Sequence, residues 1–283
     1  MKMRFSIALV SLSLAALPAF GQDAPTAPAG RGGPGGRGGA GGRGGGAPAA
    51  PAKPSKPTPR LASGKPDLNG LFQRPYVPNM TATSPRGDQK SSVKELPFTE
   101  WGKKQWESYD VNNLVKSGDY TGACLPFGLM RSINSPDPIQ FMMTDDYFAL
   151  LFEQNSWFKV IDLHKKGHDP KAIPTWFGDS YAFWDGDTLV IDTNNFNGRT
   201  RLDTNGHPHS NQLHLIERYT RTDFDHITYE VTVDDPKTYT AKWTNTRIFT
   251  LRPDWAIIEY SCEENNKGLW EGRITVPKFD DEN

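Results

Sequence analysis

From Ile139 onward the chain is a succession of short runs rich in β-branched and aromatic residues, each closed by turn-forming residues, and this pattern points to an antiparallel β fold. The runs are Ile139–Met143, Tyr147–Gln154, Trp157–Leu163, Ser180–Trp184, Thr188–Thr193, Gln212–Thr222, Ile227–Val233, Thr240–Leu251 and Trp255–Cys262. Between them stand Asp145-Asp146, Asn155-Ser156, Asp185-Gly186, Asp223 to His226, Asp235-Pro236 and Pro253-Asp254, all chemically suited to reversing a chain. With no helix-length periodic segment among them, the runs predict a mainly β, antiparallel meander closing into a calycin-like barrel, since closure removes exposed strand edges.

Upstream, Pro97 and the Thr99-Glu100 pair signal a helix start, and Trp101, Trp106 and Tyr109 fall near one face of a helix from Phe98 to Tyr109. This helix is expected to lie across the barrel as a lid or plug. The rest of 59–125 reads as an irregular arm.

Alternation within the late strands places ionisable groups among core residues. Leu213, Leu215, Glu217 and Tyr219 share one face; Trp243, Asn245, Arg247, Phe249 and Leu251 share another; Trp255, Ile257 and Glu259 share a third. A charge in such company is costly unless it is paired or reaches a wet cavity. Glu217, Arg247 and Glu259 are therefore expected to pair, to line a ligand pocket, or to sit at a solvated rim.

Two connections exceed what hairpins need, His164 to Phe177 and Asn194 to Asn211, lengths more typical of binding loops. The second leads into the strand through His207, His209 and His214, which puts three of the six histidines into an H-x-H-x4-H spacing. Imidazole titrates near neutrality and is the commonest metal ligand, so the cluster suits proton transfer or one divalent metal ion. It equally fits a polar loop carrying surface imidazoles. If both loops cap one barrel mouth, Asp203, His207, His209, His214 and Arg199 converge with Trp176 and Tyr181 on one cavity suited to a sugar or aromatic small molecule. In a catalytic version His209 and His214 exchange protons, Asp203 or Glu217 orients an imidazole, and Arg199 or Arg247 holds an anionic or carbonyl oxygen, with Glu259 a further candidate contact.

The ends of the chain bear on compartment. Lys2 and Arg4, an apolar run from Phe5 to Ala16, and Ala19-Phe20-Gly21 form the pattern of a secretory signal peptide over 1–21, too short to span a membrane. Residues 22–58 are nearly all Gly, Ala, Pro, Arg and Lys, with Arg-Gly-Gly at Arg31, Arg37 and Arg43, a composition expected to form a disordered basic linker. Contact with anionic envelope polymers is one role for that charge. The remaining 59–283 is long enough for one sizeable domain. With 32 Lys and Arg against 33 Asp and Glu, the net charge of −1 gives no reason to expect nucleic acid as a partner. Cys124 and Cys262, the only two cysteines, are expected to pair in an oxidising periplasmic or extracellular setting.

No G-x-S-x-G elbow, phosphate-binding loop, dinucleotide fingerprint or C-x-x-C pair occurs. Trp184-Asp-Gly-Asp187 reads as a tight turn between strands, with too few oxygen ligands assigned for calcium. The strings Gly64-Lys-Pro-Asp-Leu-Asn-Gly70, Cys124-Leu-Pro-Phe-Gly128, Trp184 to Thr193, Gly206-His-Pro-His-Ser210, Val233-Asp-Asp-Pro-Lys237 and Glu259 to Asn265 resemble, in this order, a large family of exported, functionally uncharacterised bacterial proteins. The resemblance spans roughly 60–266 and departs at Asp225, where that family often carries Gly. It implies a single exported domain and carries no catalytic assignment. The expected function is a periplasmic β-barrel that binds a small polar or aromatic organic ligand, with His/Asp acid-base chemistry in its catalytic version. The alternative is a non-catalytic binding or envelope-associated protein tethered by the basic tail.

Overall fold

A computed structural model describes residues 56–274, so the expected signal peptide, and all of the expected linker before Lys56, lie outside the described residues. Ten strands form one antiparallel sheet: β1 Gly70–Gln73, β2 Gln89–Ser91, β3 Ile139–Met143, β4 Tyr147–Phe152, β5 Phe158–Asp162, β6 Asp179–Asp185, β7 Thr188–Asn194, β8 His214–Arg221, β9 His226–Asp234 and β10 Trp243–Leu251. Three short α-helices accompany them, α1 Glu100–Glu107, α2 Leu129–Asn134 and α3 Lys267–Trp270. Nine strands run in the order β5-β4-β3-β1-β10-β9-β8-β7-β6, and β2 pairs with β10 beside β1. The path curls into a nearly closed barrel. Its two end strands are bridged by buried Lys159 on β5, whose ammonium donates to the carbonyls of Phe177 and Gly178 just before β6.

Eight of the nine expected strands form where alternation and turn chemistry place them. In β8 and β9, inward and outward positions alternate without a break, and the inward residues Leu215, Tyr219, Ile227, Tyr229, Val231 and Val233 are fully buried. The Asp185-Gly186 reversal also forms, with Gly186 at φ +59°, where a left-handed backbone favours glycine. Its neighbour Asp187 serves as an ion-pair partner of Arg60, 2.5 Å away.

The ninth expected strand, Trp255–Cys262, does not form. Pro253 lacks an N–H to extend the ladder after Leu251, and Trp255, Ile258 and Tyr260 are left 37%, 63% and 48% exposed. The Arg252 guanidinium lies over the Trp255 ring at 3.9 Å, and the segment is held by the Cys124–Cys262 disulfide, Cα–Cα 5.5 Å, in place of a ladder. Its expected place in the barrel is taken by β1, from the stretch read as an irregular arm. Phe72 of β1 is fully buried, pairs in register with Ile139 on one side and Leu251 on the other, and packs its ring 5.4 Å from Phe141. A strand of four residues carries too little periodicity to stand out in a sequence.

The helices also trade roles. Helix α1 forms as expected, with Thr99 Oγ1 capping Gly102 N at 3.0 Å. It packs against the segment after β9: a Cβ on Gly102 would lie 2.2 Å from the Thr238 carbonyl oxygen, so only glycine permits this approach. The buried helix is α2, all six of whose residues are buried; the Tyr229 hydroxyl, inside the barrel, contacts Met130 Sδ at 3.8 Å.

Replacing Phe72 by Ala should cost about 3–5 kcal/mol in urea unfolding, while Ile258→Ala should stay within about 0.5 kcal/mol. The reverse ranking would mean that the final run completes the barrel. The disulfide closes a loop of 138 residues of sequence separation, and its removal by the double Cys→Ala variant should cost roughly 4–5 kcal/mol by the chain-entropy account. Alkylation of the folded, non-reduced protein should label no thiol.

Candidate functional site

The parity that buries Ile191, Thr193, Leu213 and Leu215 turns Asp192, Tyr181 and His214 to the outer wall of β6, β7 and β8. The connection between β5 and β6 folds over this wall and lowers His168 onto it. His168 Nε2 lies 2.9 Å and His214 Nε2 2.7 Å from the same oxygen, Asp192 Oδ1. The Tyr181 hydroxyl is 3.4 Å from Asp192 Oδ2, and its ring meets the His168 ring edge-on at 4.9 Å.

A second layer of carboxylates backs the two imidazoles. His168 Nδ1 lies 3.2 Å from Asp179 Oδ2, and His214 Nδ1 faces Asp234 Oδ2 at 4.0 Å. Burial pushes the Asp179 carboxyl up, but the Lys165 ammonium, the Asp169 N–H and His168 together hold it below its ordinary value. Burial and the neighbouring Asp192 raise the Tyr181 phenol, so it remains a hydrogen-bond donor at neutral pH. His168, Tyr181, Asp192 and His214 line a cleft of about 620 Å³ whose walls add Asn194, Asn195, Asn211, Gln212, Asp169, Pro170, Ala172 and Leu213. His168, Asp192 and His214 are the one group of metal-capable side chains found among the described residues, their ligand atoms all within 4.8 Å of one another.

Of the expected site residues, only His214 and Tyr181 line this cleft. His207 does not join His214: its Nδ1 lies 2.6 Å from the fully buried carboxylate of Asp203, and its ring stacks on Trp106 at 4.5 Å. Asp203 also accepts the N–H groups of Met80 and His207, so its role is to join the loop to the upstream arm. Gly206 makes the turn possible, since at φ +82° a Cβ would sit 2.3 Å from the Tyr109 ring. His209 turns inward because the next residue, Ser210, is clamped by Asp235 through its N–H and hydroxyl, 2.5 and 2.7 Å. Its Nδ1 faces the Ser210 carbonyl at 2.9 Å and must donate, so Nε2 accepts from the Thr200 hydroxyl at 2.6 Å. Burial lowers the His209 pKa and keeps the ring neutral. The shared metal site of His207, His209 and His214 and the His209–His214 proton exchange are therefore not assembled.

Glu217 and Arg247 are buried inside the barrel, away from the cleft on the opposite face of the sheet. Glu217 Oε1 accepts from the hydroxyls of Tyr219 and Tyr229 at 2.9 and 3.0 Å. Burial raises its pKa against the opposing pull of Lys159, the two tyrosines and Arg247. Arg247 Nε donates to Asn245 Oδ1 at 2.6 Å, and its guanidinium lies over the Tyr229 ring at 5.3 Å. Glu259 is exposed on the unpaired final segment. Trp176, which meets Tyr120 edge-on, and Arg199 are not among the cleft-lining residues.

Neither His168 nor Asp192 stands out as a site residue in the sequence. Asp192 carried a usable signal, a carboxylate inside the apolar run Leu189-Val-Ile-Asp-Thr193 at outward parity. His168 carried only its position in a long loop. Comparison of the chain with protein-family models and with curated proteins gives no match, so the site stands on its own geometry.

The Glu217 carboxyl gives a pH signature. Because its folded-state pKa is raised, the native state holds this proton more tightly than the unfolded chain, and the stability so gained is full below about pH 4.5 and is lost as pH rises through the folded value. Glu217→Gln should therefore gain stability relative to the wild type as pH increases from 4 to 8. A pH-independent difference in denaturation midpoint would show that the carboxyl titrates as it does in the unfolded chain.

Proposed function

We propose that this chain is an exported β-barrel protein whose outer-wall cleft, between β6–β8 and the β5–β6 connection, binds a small polar organic molecule of the carbohydrate class. The cleft itself carries the reading: about 620 Å³, lined by the amides of Asn194, Asn195, Asn211 and Gln212, by two imidazoles and by the Tyr181 phenol. Amides offer donor and acceptor side by side and so match hydroxyl groups, while Pro170 and Ala172 supply apolar contact for C–H faces. In a metal-free catalytic form of this function His214, oriented by Asp192, moves a proton to or from the bound molecule, and the Tyr181 hydroxyl steadies an oxygen.

Export is supported by the signal-peptide pattern of 1–21, by the disulfide, and by the resemblance to exported bacterial proteins. No helix among the described residues is long and apolar enough to cross a membrane. The basic stretch before Lys56 would then act as a tether to anionic envelope polymers.

Calorimetry of the mature protein against a panel of mono- and oligosaccharides tests the binding step. One member of the panel should bind, and Asn211→Ala with Gln212→Ala should weaken it at least tenfold, about 1.4 kcal/mol. Absence of any binder, or a binder indifferent to these changes, refutes the cleft as the ligand site. Turnover of the bound sugar that falls about 10²–10⁴-fold in His214→Ala marks the catalytic form. A sugar recovered unchanged marks the binding-only form.

A further inference from the structure

We infer that His168 Nε2, His214 Nε2 and the Asp192 carboxylate form a binding site for one Zn²⁺ ion, with Asp179 orienting the His168 imidazole. Convergence is the first observation. Three ligand atoms from separate parts of the chain gather within 4.8 Å, both imidazoles being directed at one carboxylate oxygen, at 2.9 and 2.7 Å. Two of these ligands stand on adjacent paired strands, where Thr193 of β7 opposes Leu215 of β8, so the sheet sets their spacing.

Proton accounting is the second. Both ring nitrogens of His168 face carboxylate oxygens, Asp179 Oδ2 at 3.2 Å and Asp192 Oδ1 at 2.9 Å. His214 Nε2 meets the same Asp192 oxygen at 2.7 Å, while its Nδ1 stands 4.0 Å from Asp234, beyond hydrogen-bond reach. To satisfy these contacts with protons alone, two imidazole N–H groups must be directed at a single carboxylate oxygen, and His168 must also donate from its second nitrogen to Asp179. A divalent cation between the three groups removes that requirement. Each imidazole then places its Nε2 lone pair on the ion, and the Nδ1–H of His168 is directed to Asp179, the arrangement that fixes tautomer and raises ligand basicity in metal sites.

The donor set selects the ion. Two imidazoles and one carboxylate without a thiolate suit zinc, and three protein ligands are the pattern of a site that keeps a fourth position for water or substrate. A tetrahedral ion at about 2.0–2.2 Å from its ligands spreads them to roughly 3.4 Å, so Asp192 withdraws by about half an ångström. The three side chains are partly exposed at 22%, 16% and 33%, and they line the cleft, which leaves the fourth position facing it. Metal binding would also fasten the β5–β6 connection, through His168, to the barrel wall. Only the ion's role toward an organic ligand rests on the proposed function; its binding does not.

The test uses tag-free mature protein stripped with a chelator, titrated with Zn²⁺ by calorimetry and with Co²⁺ by absorption spectroscopy. One ion per chain should bind, and Co²⁺ should develop the visible bands of a four- or five-coordinate nitrogen–oxygen site. His168→Ala and His214→Ala should each weaken Zn²⁺ binding at least 100-fold, Asp179→Asn about 10–100-fold, and His164→Ala, at an exposed imidazole paired with Asp146, not at all. Circular dichroism and cooperative unfolding establish that each variant is folded. If His214→Ala does not fold, the wild-type Co²⁺ spectrum still decides, a hexa-aquo-like spectrum overturning the site. Lack of stoichiometric Zn²⁺ binding by the wild type also overturns it, as does binding that survives in folded His168→Ala. Repeating the sugar calorimetry with and without Zn²⁺ keeps the two readings apart. Sugar binding without Zn²⁺ binding overturns the metal site and leaves the cleft, whereas stoichiometric Zn²⁺ without sugar binding supports the metal site and refutes the ligand.

Discussion

The four residues of β1 join two otherwise separate meanders. On one side lie β3, β4 and β5, on the other β6 to β10, and β1 hydrogen-bonds to β3 and β10 at once. At the opposite seam, where β5 approaches β6, the Lys159 ammonium donates to two carbonyls. The barrel therefore depends on Gly70–Gln73 being held at the right height, and Phe72, buried beside Phe141 and beneath the Arg221 guanidinium at 5.6 Å, supplies the apolar part of that hold. The connection that carries His168 starts from β5 and ends at β6, so its position on the outer wall follows from the same closure.

Strand parity separates two polar regions that a sequence shows intermingled. Glu217 and Arg247 face inward, and their surroundings are tyrosine hydroxyls, an asparagine and an aromatic face. Asp192 and His214 face outward and meet a loop, solvent and one another. A shift of one residue in register would exchange these environments, which is why the apolar partners of each strand, such as Leu215 and Ile191, also fix where the site lies.

Three histidines within eight residues end in three environments. His207 is paired with a buried carboxylate and covered by Trp106; His209 is a neutral hydrogen-bond bridge inside the protein; His214 reaches the cleft. Nothing in an imidazole distinguishes these fates. They are set by the Ser210–Asp235 clamp, by the Gly206 turn and by the start of β8 at His214, each a contact with a distant or conformationally special residue.

The sequence by itself determined the fold class, eight of the strands, the cap of α1 and the cysteine pair. These follow from local chemistry: β-branched alternation, turn dipeptides, a Thr ahead of Glu100, and there being only two thiols. It also marked His214 and Tyr181, because a histidine at a loop–strand junction and an aromatic in a strand are visible in one dimension. Only the tertiary structure decided that β1 and not Trp255–Cys262 completes the barrel, that α2 is the buried helix, and that His168 and Asp192, not His207 and His209, accompany His214. Those outcomes depend on which groups become neighbours across some 20 to 180 residues of chain, as in His214–Asp192 and Phe72–Leu251, and on which of two faces a strand turns to the core. A sequence states the candidates for such contacts; closure of the barrel selects among them.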